Sequence, residues 1–572
     1  MTALRAENPL IVQSDRSIVV EIDHPRYEEV RDRLGRFAEL EKSPEYLHTY
    51  RVSPVSIWNA AALGVRAEEI VGFLRDNARY PIPESVAAEI EKWHARYGAL
   101  SLERHAPAAG AGGNGRLCLR PRDAAAGAEV RALAGLDAFL AGEANGSLLV
   151  DDAHRGTIKQ FLIDRGWPVD DVAGYLDGAP LAIALRPALE VRAYQREAAD
   201  AFHAGGSARG GSGVVVLPCG SGKTIVGLAV MARLRTDTLV LTTNTAAVHQ
   251  WKAEILSKTS LEPSEVGEYT GEVKDLRPVT VTTYQMLTYR KHRDAPFHHF
   301  AIFGQRDWGL VVYDEVHLLP APVFSVTASL QARRRLGLTA TLVREDGQES
   351  RVFSLIGPKR HALPWKVLER QGFIATALCR EVRVPLDEDT ARTYAAAAPR
   401  EKFRIASESE SKLATVAALV ARHRGDHVLV LGQYLDQLRT LAERLHAPLI
   451  TGKTPNAERE SLYAKFRSGR IPVLVVSKVG NFAIDLPDAN VAIQVSGTFG
   501  SRQEEAQRLG RILRPKTDGR PALFYAVVSA DTREREFAEK RQRFLTEQGY
   551  AYEITTAERM RGDTETLTHR SA

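Results

Sequence analysis

Apolar positions in this chain come in short unbroken runs, each followed by a polar turn and a longer stretch with helical spacing. Downstream of residue 210 the runs fall at 213–217, 238–243, 279–283, 310–314 and 336–340. A second series follows at 428–431, 448–451, 473–476, 491–495 and 522–528. Continuous rather than alternating apolar character marks strands buried on both faces, and strands that alternate with helices build parallel sheets. The pattern predicts two α/β domains with their functional residues at strand carboxyl ends. Upstream the pattern is mixed. Residues 1–105 combine strand-like runs such as Ser17–Ile22 with helical stretches at Pro25–Glu39 and Ser85–Tyr97. Ala106–Gly115 has a flexible linker's composition. A small α/β unit over 116–180 carries a strand-like Ser147–Val150 and a helix from His154 to Arg165.

Composition narrows the setting. A chain of 572 residues exceeds a single core, and roughly three to five domains are expected. Apolar content of 44% and charged content of 26% suit a globular protein, and a net charge of +5 permits a polyanionic partner without requiring one. Cys118, Cys219 and Cys379 are too few and too scattered for a disulfide framework or a Cys₄ metal site. The amino terminus lacks the apolar segment of a signal peptide, and no apolar run approaches a membrane span. The expectation is a cytoplasmic protein.

Two motifs supply the chemistry. The run Leu217-Pro-Cys-Gly-Ser-Gly-Lys-Thr224 follows the first apolar strand and opens a helix from Ile225 to Leu234. A strand, glycine turn and helix in that order aim backbone N–H groups and the helix dipole at phosphate. Gly220, Ser221 and Gly222 form the turn, Lys223 reaches the β- and γ-phosphates, and the Thr224 hydroxyl binds Mg²⁺. The full phosphate-loop pattern opens with glycine where this chain has Leu217. Asp314-Glu315-Val316-His317 follows another buried strand. It would place Asp314 toward the Mg²⁺ water shell and Glu315 toward an attacking water. ATP and Mg²⁺ are the expected cofactors.

The second α/β domain has no phosphate loop, so ATP is expected at the seam, with the second domain supplying missing charge. On a helix, Gln507, Arg511 and Arg514 share one face. Such a face either meets solvent or provides arginine fingers for the γ-phosphate; beside the phosphate loop and the Asp-Glu-x-His run, the second reading prevails. About thirty residues before Lys223, Arg192-Ala-Tyr-Gln195 resembles the adenine-reading motif of superfamily 2 helicases, in which Gln195 would hydrogen-bond the adenine edge.

These motifs resemble those of superfamily 2 helicases. The run Gly337-Leu-Thr-Ala-Thr-Leu-Val-Arg-Glu-Asp-Gly347 narrows the resemblance to the XPB family, whose own phosphate loop is similar to Leu217–Thr224. The resemblance implies two RecA-like parallel-sheet motor domains with amino-terminal α/β accessory domains. Thr339-Ala-Thr341 resembles motif III, which couples ATP state to DNA grip, and Arg344-Glu345-Asp346 the family's RED element, implicated in duplex opening. Thr242-Thr243-Asn244 with Gln250-Trp251 is similar to motif Ia, and Thr282–Met286, with Thr283 and Tyr284, to the backbone-contacting motif Ic. Residues 431–436, 477–487 and 503–514 resemble motifs IV, V and VI. At 481–483 the chain has Asn-Phe-Ala, where eukaryotic members usually carry Asp-Thr-Ser, and this resembles the bacterial branch.

The implied organisation is an amino-terminal accessory domain (1–105), a damage-recognition-like domain (116–180), a first helicase domain (186–375), a thumb-like insertion (380–412) with Arg400, Lys402 and Arg404, a second helicase domain (413–550) and a tail (551–572). The resemblance implies an ATP-dependent 3′→5′ DNA helicase or translocase acting in repair. Its partners would be single-stranded, duplex or forked DNA and a separate nuclease, and it would be associated with the nucleoid. A DNA-stimulated ATPase that strains duplex without processive unwinding, or an ATP-switched repair scaffold, is the alternative.

Overall fold

The computed structural model describes residues 5–42, 46–104, 117–144, 146–218, 220–289, 299, 302–320, 323, 333–340, 342, 347–363, 365–373, 377–477, 489–496, 522–547 and 550–560. Two compact units divide the chain: Met1–Glu39, Thr49–Leu217 and Gly222–Leu363 in one, and Leu40–His48, Pro218–Ser221 and Pro364–Ala572 in the other.

The first unit is built on a seven-stranded sheet. Its order is Val266–Tyr269, Val279–Thr283, Thr238–Thr242, Leu310–Asp314, Arg334–Thr339, Ser212–Val216 and Lys359–Ala362. Neighbours run parallel, in registers such as Val214 with Gly337 and Val240 with Val312. The five predicted strands are present within two residues of their expected bounds. The two strands without a sequence signal are those at the sheet's edges. Lys359-Arg-His-Ala362 is polar at its first three positions, as suits a strand that meets solvent on one side. Buried β-branched runs and large side chains such as Trp308, Tyr313 and Leu241 fill the space between sheet and helices. Parallel pairing brings Val216, Thr242, Thr283, Asp314 and Thr339 to one edge, and that edge carries the site.

A five-stranded sheet precedes the motor domain, in the order Leu140–Ala144, Ser147–Val150, Leu117–Pro121, Leu100–Arg104, Val169–Asp171. Leu100–Arg104 lies before the linker-like segment yet pairs antiparallel with Leu117–Pro121. The strands on either side of residues 105–116 therefore belong to one sheet. Leu102, Leu119, Leu148 and Trp167 share the core of this module.

A buried ion cluster ties this module to the motor sheet. Asp171 accepts from Arg155 at 2.8 Å and from Lys159 at 2.7 Å, with all three side chains almost fully buried. The guanidinium groups of Arg155 and Arg335 both stack on the ring of Tyr175, at 5.4 and 5.5 Å from its centroid. Arg335 opens the register of Arg334–Thr339 against Ser212 and hydrogen-bonds Leu355 O and Ser212 Oγ. A second contact forms at the helix Glu349–Leu355. Its Phe353 packs on Trp58 and Tyr97 at centroid distances of 5.9 and 6.4 Å, and Ser354 Oγ donates to Gln160 at 2.9 Å.

The second unit contains another parallel seven-stranded sheet, ordered Leu449–Ile450, Val473–Ser477, Val428–Gly432, Val491–Gln494, Ala522–Ser529, Ala377–Val384, Ala551–Thr556. Ala377–Val384 and Ala551–Thr556 lie outside the 413–550 range expected for this domain. The polar alternation of Leu378-Cys-Arg-Glu-Val-Arg-Val384 hides the first of them from an apolar-run reading. The residues expected as a tail from 551 begin with a strand. Between Ala377–Val384 and the helix Glu410–Arg422 the chain inserts two helices, Glu388–Ala396 and Pro399–Ser407, within the span expected for the thumb. Arg404 in the second of them is paired with Glu408 at 2.9 Å. No helix among the described residues is long and apolar enough to cross a membrane.

Candidate active site

The strand Ser212–Val216 leads through Gly220 and Gly222 into the helix Lys223–Leu234. Both glycines are left-handed, with φ of +78° and +79°, so the turn depends on residues without a Cβ. Gly222 is the helix N-cap, which directs the first helical N–H groups and Lys223 to the edge where strands end. Ser221 is buried and its hydroxyl donates to Pro218 O at 2.6 Å. Thr224 is the second residue of the helix and partly buried.

Gln195 packs against this turn. A Cβ on Gly222 would lie 2.6 Å from Gln195 Nε2, which gives Gly222 a second reason to be glycine. Gln195 Oε1 accepts from the backbone N–H of Arg192 at 3.0 Å, fixing the helix start Ala193–His203 beside the phosphate loop.

The acidic pair closes the other side. Asp314 ends its strand, and Glu315 adopts φ +50° before the short turn Val316–Leu318. A left-handed conformation is uncommon for a residue with a Cβ and is typical of strained functional positions. It brings Glu315 Oε1 within 3.6 Å of Lys223 Nζ, with both side chains mostly buried. Glu315 Oε2 is buried and accepts no hydrogen bond among the described residues. Burial pushes the Asp314 carboxyl up to about 6; the adjacent Glu315 carboxylate adds to the rise, and the Trp251 hydrogen bond and Lys223 oppose it. Two adjacent acids in a dry site need a cation. The oxygen donors of Asp314 and Thr224, with buried Glu315 Oε2 lacking a donor, suit a hard divalent ion that keeps part of its water shell.

His317 extends the site toward motif III. Its Nδ1 shares a 2.7 Å hydrogen bond with Thr339 Oγ1, and both residues are buried. Thr339 thus faces the acidic run from the end of the adjacent strand. Thr283 and Tyr284 both make hydrogen bonds within the protein. Thr283 Oγ1 caps the next helix by accepting from Met286 N at 3.1 Å, and Tyr284 is buried with its hydroxyl donating to Asp314 O at 2.9 Å. Thr283 ends its strand as the N-cap of the helix Tyr284–Thr288, and Tyr284 is that helix's first residue.

Lys223, Asp314 and Glu315 are therefore gathered with Gly222 and Gln195 at one strand-end edge, with Thr224 next to Lys223 in its helix and Arg192 bonded to Gln195 at the start of Ala193–His203; Gly220 and Ser221 precede Gly222 in the chain. Thr341, Arg344, Glu345, Asp346, Gln507, Arg511 and Arg514 lie outside the described residues. A contact that motif reading did not assign is Trp251, whose indole N–H donates to Asp314 Oδ2 at 2.9 Å. Its sequence signal is its place in the Gln250-Trp251 pair that resembles motif Ia, which names the residue and not its partner.

Comparisons with known proteins agree with this geometry. The family model described as ERCC3/RAD25/XPB C-terminal helicase matches residues 368–572. A type III restriction enzyme res-subunit model matches 188–344, and a helicase conserved C-terminal domain model matches 10–140. A Kineococcus radiotolerans protein named DNA 3′-5′ helicase XPB is 52% identical over 97% of this chain and 98% of its own length. Its Mycobacterium tuberculosis namesake is 50% identical over 97% of this chain and 99% of its own. The Saccharomyces cerevisiae general transcription and DNA repair factor IIH helicase/translocase subunit XPB/SSL2 is 30% identical over 96% of this chain and 72% of its own length. Two parallel-sheet motor domains, a phosphate loop facing an Asp-Glu-x-His run and near full-length identity of this order place the chain in the bacterial branch of the XPB helicase family.

Proposed function

We propose that this chain is an ATP-dependent 3′→5′ DNA helicase or translocase of the XPB type, acting in DNA repair. The observation that carries the reading is the meeting of Lys223 with Glu315 at 3.6 Å at the edge where the phosphate loop and the Asp-Glu-x-His run come together. Family membership supplies DNA as the polymer and the direction of travel.

The residues divide the work. Without nucleotide, Lys223 neutralises Glu315. An incoming triphosphate competes for Lys223, and Glu315 is released to hold the attacking water through the buried oxygen that has no donor of its own. Thr224 and Asp314 would hold Mg²⁺, which when bound supplies positive charge to the phosphates. Gln195 and Arg192 orient the adenine end. Arg511 and Arg514, with Gln507 on the same helix face, are the arginine fingers in this reading. The His317–Thr339 hydrogen bond links the state of the acidic run to motif III, and Thr341 with Arg344, Glu345 and Asp346 would carry it to DNA. A nuclease acting with this motor, and a place at the nucleoid, are consistent with a repair role.

ATP turnover measured with single-stranded, duplex and forked DNA and with RNA, at two salt concentrations, tests the function. DNA is expected to stimulate turnover regardless of sequence and RNA to do so weakly. Stimulation should fall steeply with salt, because phosphate contacts carry the affinity. Equal stimulation by RNA, or none by any DNA, would remove the helicase assignment. Strand displacement run beside triplex displacement separates unwinding from duplex translocation.

A further inference from the structure

Three tryptophans with resolved indole hydrogen bonds are buried in the first unit. Trp58 donates to Trp93 O at 3.1 Å and Trp308 to Ile302 O at 2.9 Å. These are the usual partners of a core indole, neutral carbonyls that satisfy a donor with no other consequence. Trp251 differs. It is 2% exposed, and its N–H goes to the Asp314 carboxylate at 2.9 Å. A hydrogen bond to an ionised acceptor is stronger and more directional than one to a carbonyl.

The rest of the ring is equally constrained. Trp251 lies on the helix Thr245–Lys258 and faces the phosphate-loop helix Lys223–Leu234 at Gly227. A Cβ on Gly227 would lie 2.7 Å from Trp251 Cη2 and 3.3 Å from Cζ3. Gly227 has helical backbone geometry, so its lack of a side chain is explained by room for the indole and not by φ. Gly227 stands one helical turn after Lys223. A single side chain therefore touches the phosphate-loop helix with its ring and the acidic strand end with its N–H. Its own helix begins at Asn244, whose side chain caps it by accepting from Ala247 N at 2.9 Å, in the run that resembles motif Ia.

We propose that Trp251 is a positioning residue for the hydrolytic site: its indole N–H fixes the Asp314 carboxylate relative to the phosphate loop, and Gly227 provides the slot that sets the indole's depth. The inference rests on the ATP-site reading above. One Asp314 oxygen is occupied by the indole, so the carboxylate's rotation is locked before any cation arrives. Outer contacts of this kind orient a carboxylate and are worth roughly 10–100-fold in metal affinity or activity.

Two variants test it from opposite sides. Trp251→Phe keeps the apolar ring and removes the N–H. Gly227→Ala keeps the N–H and displaces the ring that carries it, so it tests the proposal if the first variant fails to fold. Each is compared with wild type for binding of a fluorescent ATP analogue across a Mg²⁺ titration, for binding of the same analogue in EDTA, and for turnover. The expected result is a half-saturating Mg²⁺ concentration raised about tenfold or more, with turnover reduced similarly and metal-free nucleotide binding within about twofold of wild type. Wild-type Mg²⁺ dependence in both variants overturns the proposal. So does metal-free binding that falls in the same proportion, which would mark a packing role alone. Lys223→Ala in the same assay separates the two layers: wild-type nucleotide binding there defeats the ATP site itself, whereas weakened binding there beside an unaltered Trp251→Phe defeats only the role of Trp251.

Discussion

Lys223→Ala is expected to reduce ATP turnover by roughly 10²–10³-fold or more while leaving the fold and DNA binding in place. The magnitude follows from what the ammonium does. Phosphoryl transfer builds charge on the γ-phosphate oxygens, and losing one preorganised positive group there costs roughly 10²–10³ or more in rate. The side chain is buried beside Glu315 at the head of the helix Lys223–Leu234, so no solvent cation can take its place at that distance. The fold should survive because the helix keeps its Gly222 cap and its buried apolar face. A thermal unfolding midpoint near wild type checks this. The same assay separates Lys223 from Arg511. Arg511→Ala should retain nucleotide and lose roughly 10³–10⁵ in turnover, because a finger acts in the transition state more than in the ground state. Normal turnover in Lys223→Ala would sink the assigned site.

The motor sheets were legible because parallel strands buried on both faces leave unbroken apolar runs, and Val214–Leu217 and Leu310–Tyr313 are such runs. Glycines with left-handed backbones at 220 and 222 could likewise be read, since the phosphate-loop pattern encodes that geometry. Other features left no periodic signal. Lys359–Ala362 and Ala377–Val384 are polar or mixed, and pairing with a neighbour makes them strands. Leu100–Arg104 is too short to show that it pairs across the Gly-rich segment. The inward turn of Tyr284 toward Asp314 O and the hydrogen bond from Trp251 to Asp314 are tertiary facts. They depend on two strand ends meeting, and nothing in the local spacing of either residue announces it.

Asp171→Ala is expected to destabilise the first unit by about 3–5 kcal/mol at pH 7, the cost of stripping a buried charge cluster of its counter-ion. Asp171 faces Arg155 and Lys159 at hydrogen-bond distance, with Arg335 near the same Tyr175 ring as Arg155. Its removal leaves these cations without their shared carboxylate. Burial alone would raise the Asp171 carboxyl, but Lys159 and Arg155 outweigh it and hold the group well below the usual carboxylate range. A depressed value means that the contribution is complete above the ordinary Asp value of 3.8 and is lost only as pH falls through the depressed one. The variant should therefore differ most from wild type near neutrality and least in strong acid. Lys159 behaves oppositely. Burial lowers it to about 8 from 10.5, so the folded chain holds that proton less tightly than the unfolded chain, and the lysine charge costs stability that sets in as pH falls through 10.5 and is complete below about 8. Lys159→Met should accordingly be close to neutral at pH 7, because Arg155 still pairs Asp171 in two hydrogen bonds. Urea unfolding of the two variants at pH 7 checks the contrast. Equal loss in both would mean that the cluster acts through packing and that its charges are not what hold the accessory sheet to the strand of motif III.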